Sequence, residues 1–323
     1  MTAAQAEPSA PAVEPVSLGM ELLADRVSLL VLRNIFRGSH RYQQFKDSLG
    51  VSHAVLTDRL RHLEAAGLIA PCQYSDRPPR FEYKLTPKGD AYWPVIVSLW
   101  RWEAIWIRDS TATLASVRHR ECAKVILPWF GCTSCGEEVG LDSPLDVGVS
   151  NQTLFDSLSR TAHRYRRAGG PSLASFASTA SDGVFTVLRD RWSGLIMLAL
   201  VKGLTRFSEI QKHLGISPTL LSRRLDEMTA LGVVEPVVVP GRAHRAFRML
   251  DKGGDLRPAL VLTHLWANEW SETGPRADML LYHGDHQLQP AWFCDVCGMA
   301  IVRPSVDAEG IPDYDETRLA GLS

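Results

Sequence analysis

The stretch VSHAVLTDRLRHLEAAGLI, Val51–Ile69, decides the fold. Leu56, Leu60 and Leu63 recur at helical spacing, so one face of a helix is apolar. Ser52 stands where an N-cap belongs, just ahead of that periodicity. Gly67 ends the helix, and Leu68-Ile69 turn back toward a core. A close copy, ISPTLLSRRLDEMTALGVV, runs from Ile216 to Val234, 165 residues further on.

The copy extends well beyond this helix. Asp25-Arg26 matches Asp190-Arg191, Gly38 matches Gly203, Gly50 matches Gly215 and Gly67 matches Gly232, all at the same offset of 165. KLTPKGD (Lys84–Asp90) aligns with MLDKGGD (Met249–Asp255), and PWFGCTSCG aligns with PAWFCDVCG at a slightly shorter offset. So many coincidences identify a tandem duplication. The expected division is a floppy tail at 1–15 and a first domain at 16–117 with a small Cys/His module at 118–141. A Ser/Gly/Arg-rich linker at 142–177, with one short basic helix, leads to a second domain at 178–281. A second module follows at 282–303, and an acidic tail at 304–323.

Each repeat reads the same way. ELLADRVSLLVLRNIF is a first helix with a broad apolar stripe, and RYQQFKDSLG is a short second one stopped by Gly50. The opening segment is the third. IAPCQY and FEYKLT then alternate as strands around SDRPPR, which has turn chemistry, so a β-hairpin with a basic tip follows. A long helix, DAYWPVIVSLWRWEAIWI, carries more aromatic surface than one small domain buries, which predicts an interface. Two short helices followed by a basic hairpin are the logic of a winged helix-turn-helix. The predicted fold class is mainly α with small β-hairpins (α+β): two tandem winged helix-turn-helix domains, each followed by a zinc-ribbon-like module.

Composition narrows the partners. The chain of 323 residues is 45% hydrophobic and 22% charged with a formal net charge of −1, so any DNA-binding surface must come from local basic clusters. The first residues lack a basic segment and an apolar core, and no apolar run approaches a membrane span, which predicts a cytoplasmic protein without a membrane partner. No phosphate loop, nucleophile elbow or HExxH appears, which predicts a non-enzyme.

The motifs LTDRLRHLEAAGLI, RPPRFEYKLTPKG and WPVIVSLWRWEAIW resemble the HxlR-type regulators, a branch of the MarR-like group. The second repeat resembles them more loosely through LLSRRLDEMTALGVV, RAFRMLDKGGD and LRPALVLTHLWANEW. The resemblance implies sequence-specific binding of a double-stranded DNA operator as a transcriptional regulator, more often a repressor, working as a homodimer through first and last helices. Several members of that family sense oxidants through a cysteine just before the first helix, but EPVSLGMELLADR and SFASTASDGVF contain none. The effector is left open.

With the leucines inward, the opposite face of Val51–Ile69 carries His53, Thr57 and Arg61 one turn apart, the geometry for base-edge contact. Ser52 suits a phosphate at the helix N-terminus. Arg37 and Arg41 flank the site, and Arg77 and Arg80 sit on the wing. Arg59, repeated as Arg224, would hold either a phosphate or a buried carboxylate. In the second repeat the stripe reads Pro218, Ser222 and Asp226, an acid where the first has Arg61, with Arg223 beside it; its wing still carries Arg242 and Arg245.

Of six cysteines, four form two CxxC pairs. Read along the chain, His119-x2-Cys122 with Cys132-x2-Cys135 forms one four-ligand set, and His283-x2-His286 with Cys294-x2-Cys297 a second. Zn²⁺ takes four N or S ligands in a tetrahedron, so up to two structural zinc ions per chain are expected. Buried free cysteines, or a redox-active CxxC of the kind that opens a helix, are the other readings. A winged-helix module for protein–protein contact is a further alternative to DNA binding. The duplication itself predicts an intramolecular pseudo-dimer packed through the first helices and the helices Tyr92–Ile107 and Leu256–Trp270, as against a four-headed homodimer.

Overall fold

The computed structural model describes residues 15–107, 116–140, 143, 145–147, 180–237, 245–271 and 280–309. The expected N-terminal tail through residue 14, nearly all of the linker with its short helix, and the tip of the second wing, including Arg242 and His244, lie outside the described residues.

The expected first helix is two. The helix α1 (Pro15–Ala24) ends before Asp25, whose carboxylate accepts from the Ser28 amide and so caps a new helix, α2 (Arg26–Phe36). Next come α3 (Tyr42–Leu49) and α4 (His53–Ala65), the latter capped by Ser52 as expected, with Leu56, Leu60 and Leu63 buried. The strands β1 (Ile69–Asp76) and β2 (Pro79–Leu85) form the predicted antiparallel wing. A single turn, α5 (Pro87–Asp90), leads into α6 (Trp93–Trp106). The second repeat follows the same order. After a 3₁₀ segment (Ala180–Thr186) come α7 (Arg191–Val201), α8 (Phe207–Leu214), α9 (Pro218–Ala230), β7 (Val234–Val237), β8 (Ala246–Met249), α10 (Asp251–Gly254) and α11 (Arg257–Glu269).

The offset of 165 does not hold past the wings. A Cβ on Gly89 would lie 2.0 Å from the Leu68 carbonyl oxygen, and one on Gly253 2.3 Å from that of Val233. Only glycine fits such an approach, so Gly89 is equivalent to Gly253, 164 residues on. KLTPKGD is therefore one residue out of register with MLDKGGD as first aligned, because the second wing is one residue shorter.

With that register, the packing between repeats is reciprocal. The Trp102 indole donates to the Lys252 carbonyl at 2.7 Å, and the Trp266 indole to the Lys88 carbonyl at 2.9 Å. Each lysine amine also lies 5.7 Å from the ring of the same tryptophan. Both residue pairs are 164 apart, so these contacts obey an approximate twofold axis, as in an isologous dimer. The aromatic surplus of α6 is absorbed here: α6 packs on α11, and α1 packs on α7 and α11. Gly19 lets α1 approach α11 so closely that a Cβ would lie 2.7 Å from Thr263 Cγ2. The repeats share one continuous apolar core.

Beyond the long helices the chain exchanges strands. Here β3 (Ser116–His119) pairs with β4 (Lys124–Ile126) and with β13 (Val306–Glu309) from the far end of the chain. Its counterpart β9 (Leu281–His283) pairs with β10 (His286–Gln287) and with β6 (Leu145–Val147). Across the axis β5 (Trp129–Cys132) runs antiparallel to β11 (Pro290–Phe293), which also pairs with β12 (Ala300–Ile301). Phe130 stands opposite Trp292, its own equivalent, so the axis passes between them. The expected modules are thus not separate appendages, and residues 306–309 of the expected acidic tail form a strand. Among the described residues no helix is long and apolar enough to cross a membrane.

If the twofold contact holds the repeats together, Trp102→Phe and Trp266→Phe should cost similar amounts. Each strands a carbonyl acceptor, and each should lower the unfolding free energy by about 1–3 kcal/mol in a urea titration.

Candidate nucleic-acid interface and metal centres

The predicted reading face is exposed in the first repeat. Ser52, His53 and Arg61 are exposed and Thr57 is half-buried. The face is more ordered than its sequence suggests. The Tyr42 hydroxyl, from the first turn of α3, lies 2.9 Å from His53 Nδ1, and His53 Nδ1 lies 2.9 Å from Thr57 Oγ1. The Tyr42 ring stands edge-on to the imidazole at 5.4 Å between centroids. Tyr42 thus fixes the rotamers of two of the three stripe residues. At the equivalent position the second repeat has Phe207, which has no hydroxyl, opposite Pro218 and Ser222. Arg77 and Arg80 are exposed at the far end of the wing, and exposed Arg41 stacks on Tyr74 with its guanidinium carbon 4.6 Å from the ring centroid. Arg37, the C-cap of α2, lines a cavity with Trp93 and Trp100.

Arg59 and Arg224 leave the interface. Arg59 Nε lies 3.3 Å from Asp25, and Arg224 is paired with Asp190 and, at 2.7 Å, with Glu227. Asp25 and Asp190 are the N-caps of α2 and α7. Each repeat therefore ties its third helix to the start of its first core helix with one carboxylate that both caps and pairs. Of the two roles open to these arginines, the carboxylate partner is the one realised.

The second repeat's face is self-neutralised. Asp226 accepts from Ser222 Oγ at 3.3 Å and from Arg245 at 3.2 Å, and Arg248 pairs with Glu235. Arg223 remains exposed. A phosphate approaching this face would meet Arg245 and Arg248 already matched by carboxylates, with Arg223 exposed beside them.

The eight Cys/His residues come together, but not in the sets read along the chain. One group is His119, Cys122, Cys294 and Cys297; the other is Cys132, Cys135, His283 and His286, the ligand atoms of each lying within 4.8 Å of one another. Each group takes the first x2 pair of one repeat and the CxxC pair of the other. In the first, Cys122 Sγ and Cys297 Sγ lie 3.5 and 3.4 Å from His119 Nδ1, and Cys122 Sγ lies 3.9 Å from Cys294 Sγ. In the second, Cys132 Sγ lies 3.3 Å from His286 Nε2, and Cys135 Sγ 3.5 Å from His283 Nδ1. A zinc tetrahedron with ordinary bond lengths has S···N edges of about 3.6 Å and S···S edges of about 3.8 Å.

Both CxxC pairs make the same turn. The Gly136 amide donates to the Cys132 carbonyl at 2.8 Å and Gly298 to Cys294 at 2.9 Å, each glycine at φ near +74° or +73°. Neither pair opens a helix, unlike a redox-active CxxC. The outer nitrogen of one imidazole is hydrogen-bonded to a carboxylate, His286 Nδ1 to Asp285 at 3.2 Å, while buried His119 Nε2 lies 2.7 Å from Glu121 without the geometry of a hydrogen bond. A hydrogen-bonded carboxylate orients a metal-binding histidine. Burial works against the Cys132 thiolate, but the Gln289 and Ser134 amides and His286 outweigh it and bring the thiol down to about 6. At the equivalent Cys294 burial dominates and pushes the thiol up to about 11. Cys72, in the wing, is half-buried and belongs to neither group.

The HxlR-like helix-turn-helix family matches residues 22–111 and 187–275, together more than half of the chain. The chain belongs to the HxlR family. A relative from Mycobacterium tuberculosis, an HTH-type transcriptional regulator, is 36% identical over 126 residues, 39% of this chain and 80% of the relative. One from Synechocystis is 37% identical over 114 residues, 34% of this chain and 84% of its own. The HTH-type regulator YodB of Bacillus subtilis is 32% identical over 95 residues, 29% of this chain and 85% of YodB. The solved reduced form of YodB aligns at 30% identity over 30% of this chain and 97% of that one, with a TM-score of 0.26. The single-length relatives cover about one repeat each. This HxlR protein is a transcriptional regulator rather than an enzyme, with the family's reading unit present twice.

Sequence reasoning missed Tyr42 and the crossed ligand sets. The aromatic at the start of RYQQFKDSLG was a signal, since it precedes the apolar positions of that helix and falls outside the core pattern. The two roles of the arginine pair are separable by stability alone. Arg59→Ala breaks a part-buried pair and should lower the unfolding free energy by about 1–3 kcal/mol, whereas exposed Arg61→Ala should change it by less than about 0.5 kcal/mol.

Proposed function

We propose that the chain is a site-specific DNA-binding regulator whose two repeats form an intramolecular pseudo-dimer, with the first repeat leading base recognition. The observation that carries this reading is the ordered His53/Thr57/Arg61 stripe beside an exposed RPPR wing, set against a second face whose Asp226 is neutralised from within. Palindromic operators call for two recognition helices about one DNA turn apart, roughly 34–36 Å. A tandem chain brings both copies itself, and its two different faces favour an asymmetric site. His53, Thr57 and Arg61 read base edges, Ser52 and the α4 N-terminus take a phosphate, and Arg41, Arg77 and Arg80 contact the backbone or the minor groove. Arg223 and Arg242 give the second repeat backbone contacts, and Arg245 joins them when it leaves Asp226 for a phosphate.

Each Cys/His group holds one structural Zn²⁺. Four protein ligands leave no open position for water, so the metal's part is mechanical: it ties the two repeats across the axis. The crossed sets support that part, because each site is complete only when both repeats are in place. The regulator works in the cytoplasm, where thiols stay reduced and free to bind metal.

Binding to an operator selected from random-sequence DNA tests the first reading. Arg61→Ala should weaken binding by about 1–3 kcal/mol and relax specificity at one position, with the footprint asymmetric and the free protein monomeric by light scattering. Unchanged affinity in an Arg61/Arg80 double alanine variant, or a stable dimer on a palindromic footprint, would count against it. Metal content tests the second. Wild type should carry two zinc ions per chain, and the double variant Cys132→Ser/His283→Asn should keep one, since both ligands belong to one crossed set. If ligands were shared along the chain instead, that variant would lose both ions.

A further inference from the structure

A cavity of about 490 Å³ lies between the first winged helix and the arm that returns from the far end of the chain. It falls within the size range of small-molecule sites. Phe36, Trp93 and Trp100 supply aromatic walls, and four arginines reach it: Arg33, Arg37, Arg120 and Arg303. Three of the four are already matched. Arg33 donates to Glu103 at 3.1 Å, Arg120 to Asp307 at 2.9 Å, and Arg303 pairs with Asp90 while its guanidinium lies 5.0 Å from the Phe36 centroid. The Arg37 side chain has no carboxylate or other acceptor among the described residues. The cavity therefore carries one unmatched positive charge beside aromatic surface.

The duplication supplies an internal control. At the equivalent place in the second repeat, Leu198 stands for Arg33, Val201 for Phe36 and His264 for Trp100, and only about 20 Å³ remains open. Lys202 occupies the position of Arg37, and its amine finds no hydrogen-bond partner among the described residues; burial lowers it to about 7. One copy of the site is packed shut with aliphatic side chains, while the other is held open by aromatic rings and a paired guanidinium frame. Simple duplication would not produce that difference.

From this asymmetry we infer that the first-repeat cavity binds one small aromatic monoanion per chain, its ring between Phe36, Trp93 and Trp100 and its carboxylate on Arg37. The guanidinium offers a bidentate fork to a carboxylate, and the rings offer a stacking surface. The ligand would bridge α2 and α6 of the first repeat to the Arg303–Asp307 arm, which belongs to the second.

Calorimetric titration of the full chain with 2-naphthoate tests this, with 2-naphthamide as the neutral body of the same shape. Naphthoate should bind with a stoichiometry of one per chain, at least about tenfold more tightly than the amide. Arg37→Gln should bring naphthoate down to the level of the amide, and Arg37→Lys should restore part of the difference. Arg37 lies at the surface, so neither variant threatens the fold. Equal binding of acid and amide, two sites per chain, unchanged binding in Arg37→Gln, or no heat with either probe up to ~5 mM would each overturn the inference.

Discussion

The antiparallel pairing of β5 with β11 places Phe130 opposite Trp292 on the axis and stacks Trp129 on Phe293 at 4.4 Å between centroids. Everything beyond the long helices follows from that register. It draws each CxxC turn across to the other repeat's first ligand pair, so neither Cys/His group can form from one repeat alone. The exchanged strands β6 and β13 extend the same arrangement, each adding an edge to the partner repeat's sheet. Stability and the relative placement of the two reading heads are thereby one problem. The crossed module holds the repeats at one end, and the helix packing about the same axis holds them at the other.

The winged helices meet this constraint from the other side. Reciprocal indole-to-carbonyl bonds from Trp102 and Trp266 seat each long helix on the turn that opens its counterpart. A homodimer would need such contacts to be identical. A tandem chain needs only that they remain complementary, which leaves the outer faces free to diverge. Tyr42, His53 and Thr57 form a fixed polar group in one repeat, where Phe207, Pro218 and Ser222 stand in the other. The open and closed forms of the cavity behind α2 and α7 show the same divergence in the interior.

Much of this was legible from residue order. Apolar spacing located α3, α4 and their copies, Ser52 marked a helix start, and alternation around SDRPPR located the wing. These are local signals, carried by residues within one or two turns of each other. The break at Asp25 was also local but was hidden by a continuous apolar stripe, because Leu22, Leu23, Leu29 and Leu32 are buried on both sides of it. Arg59 was ambiguous for a different reason: a guanidinium suits phosphate and carboxylate equally, and only the position of Asp25 in space decides.

By itself, then, the sequence determined that there are two winged-helix repeats, what their elements are, and which eight side chains have metal-binding chemistry. The tertiary structure decided how those eight are sorted. The spacing of x2 pairs is satisfied equally well within a repeat or across two, since coordination chemistry depends on donor atoms and distances and is indifferent to chain order. The choice was made by packing. With Trp102 and Trp266 holding the long helices together about a twofold axis, β5 pairs with β11, and Cys132 and Cys135 lie beside His283 and His286 of the other repeat, away from His119 and Cys122 of their own.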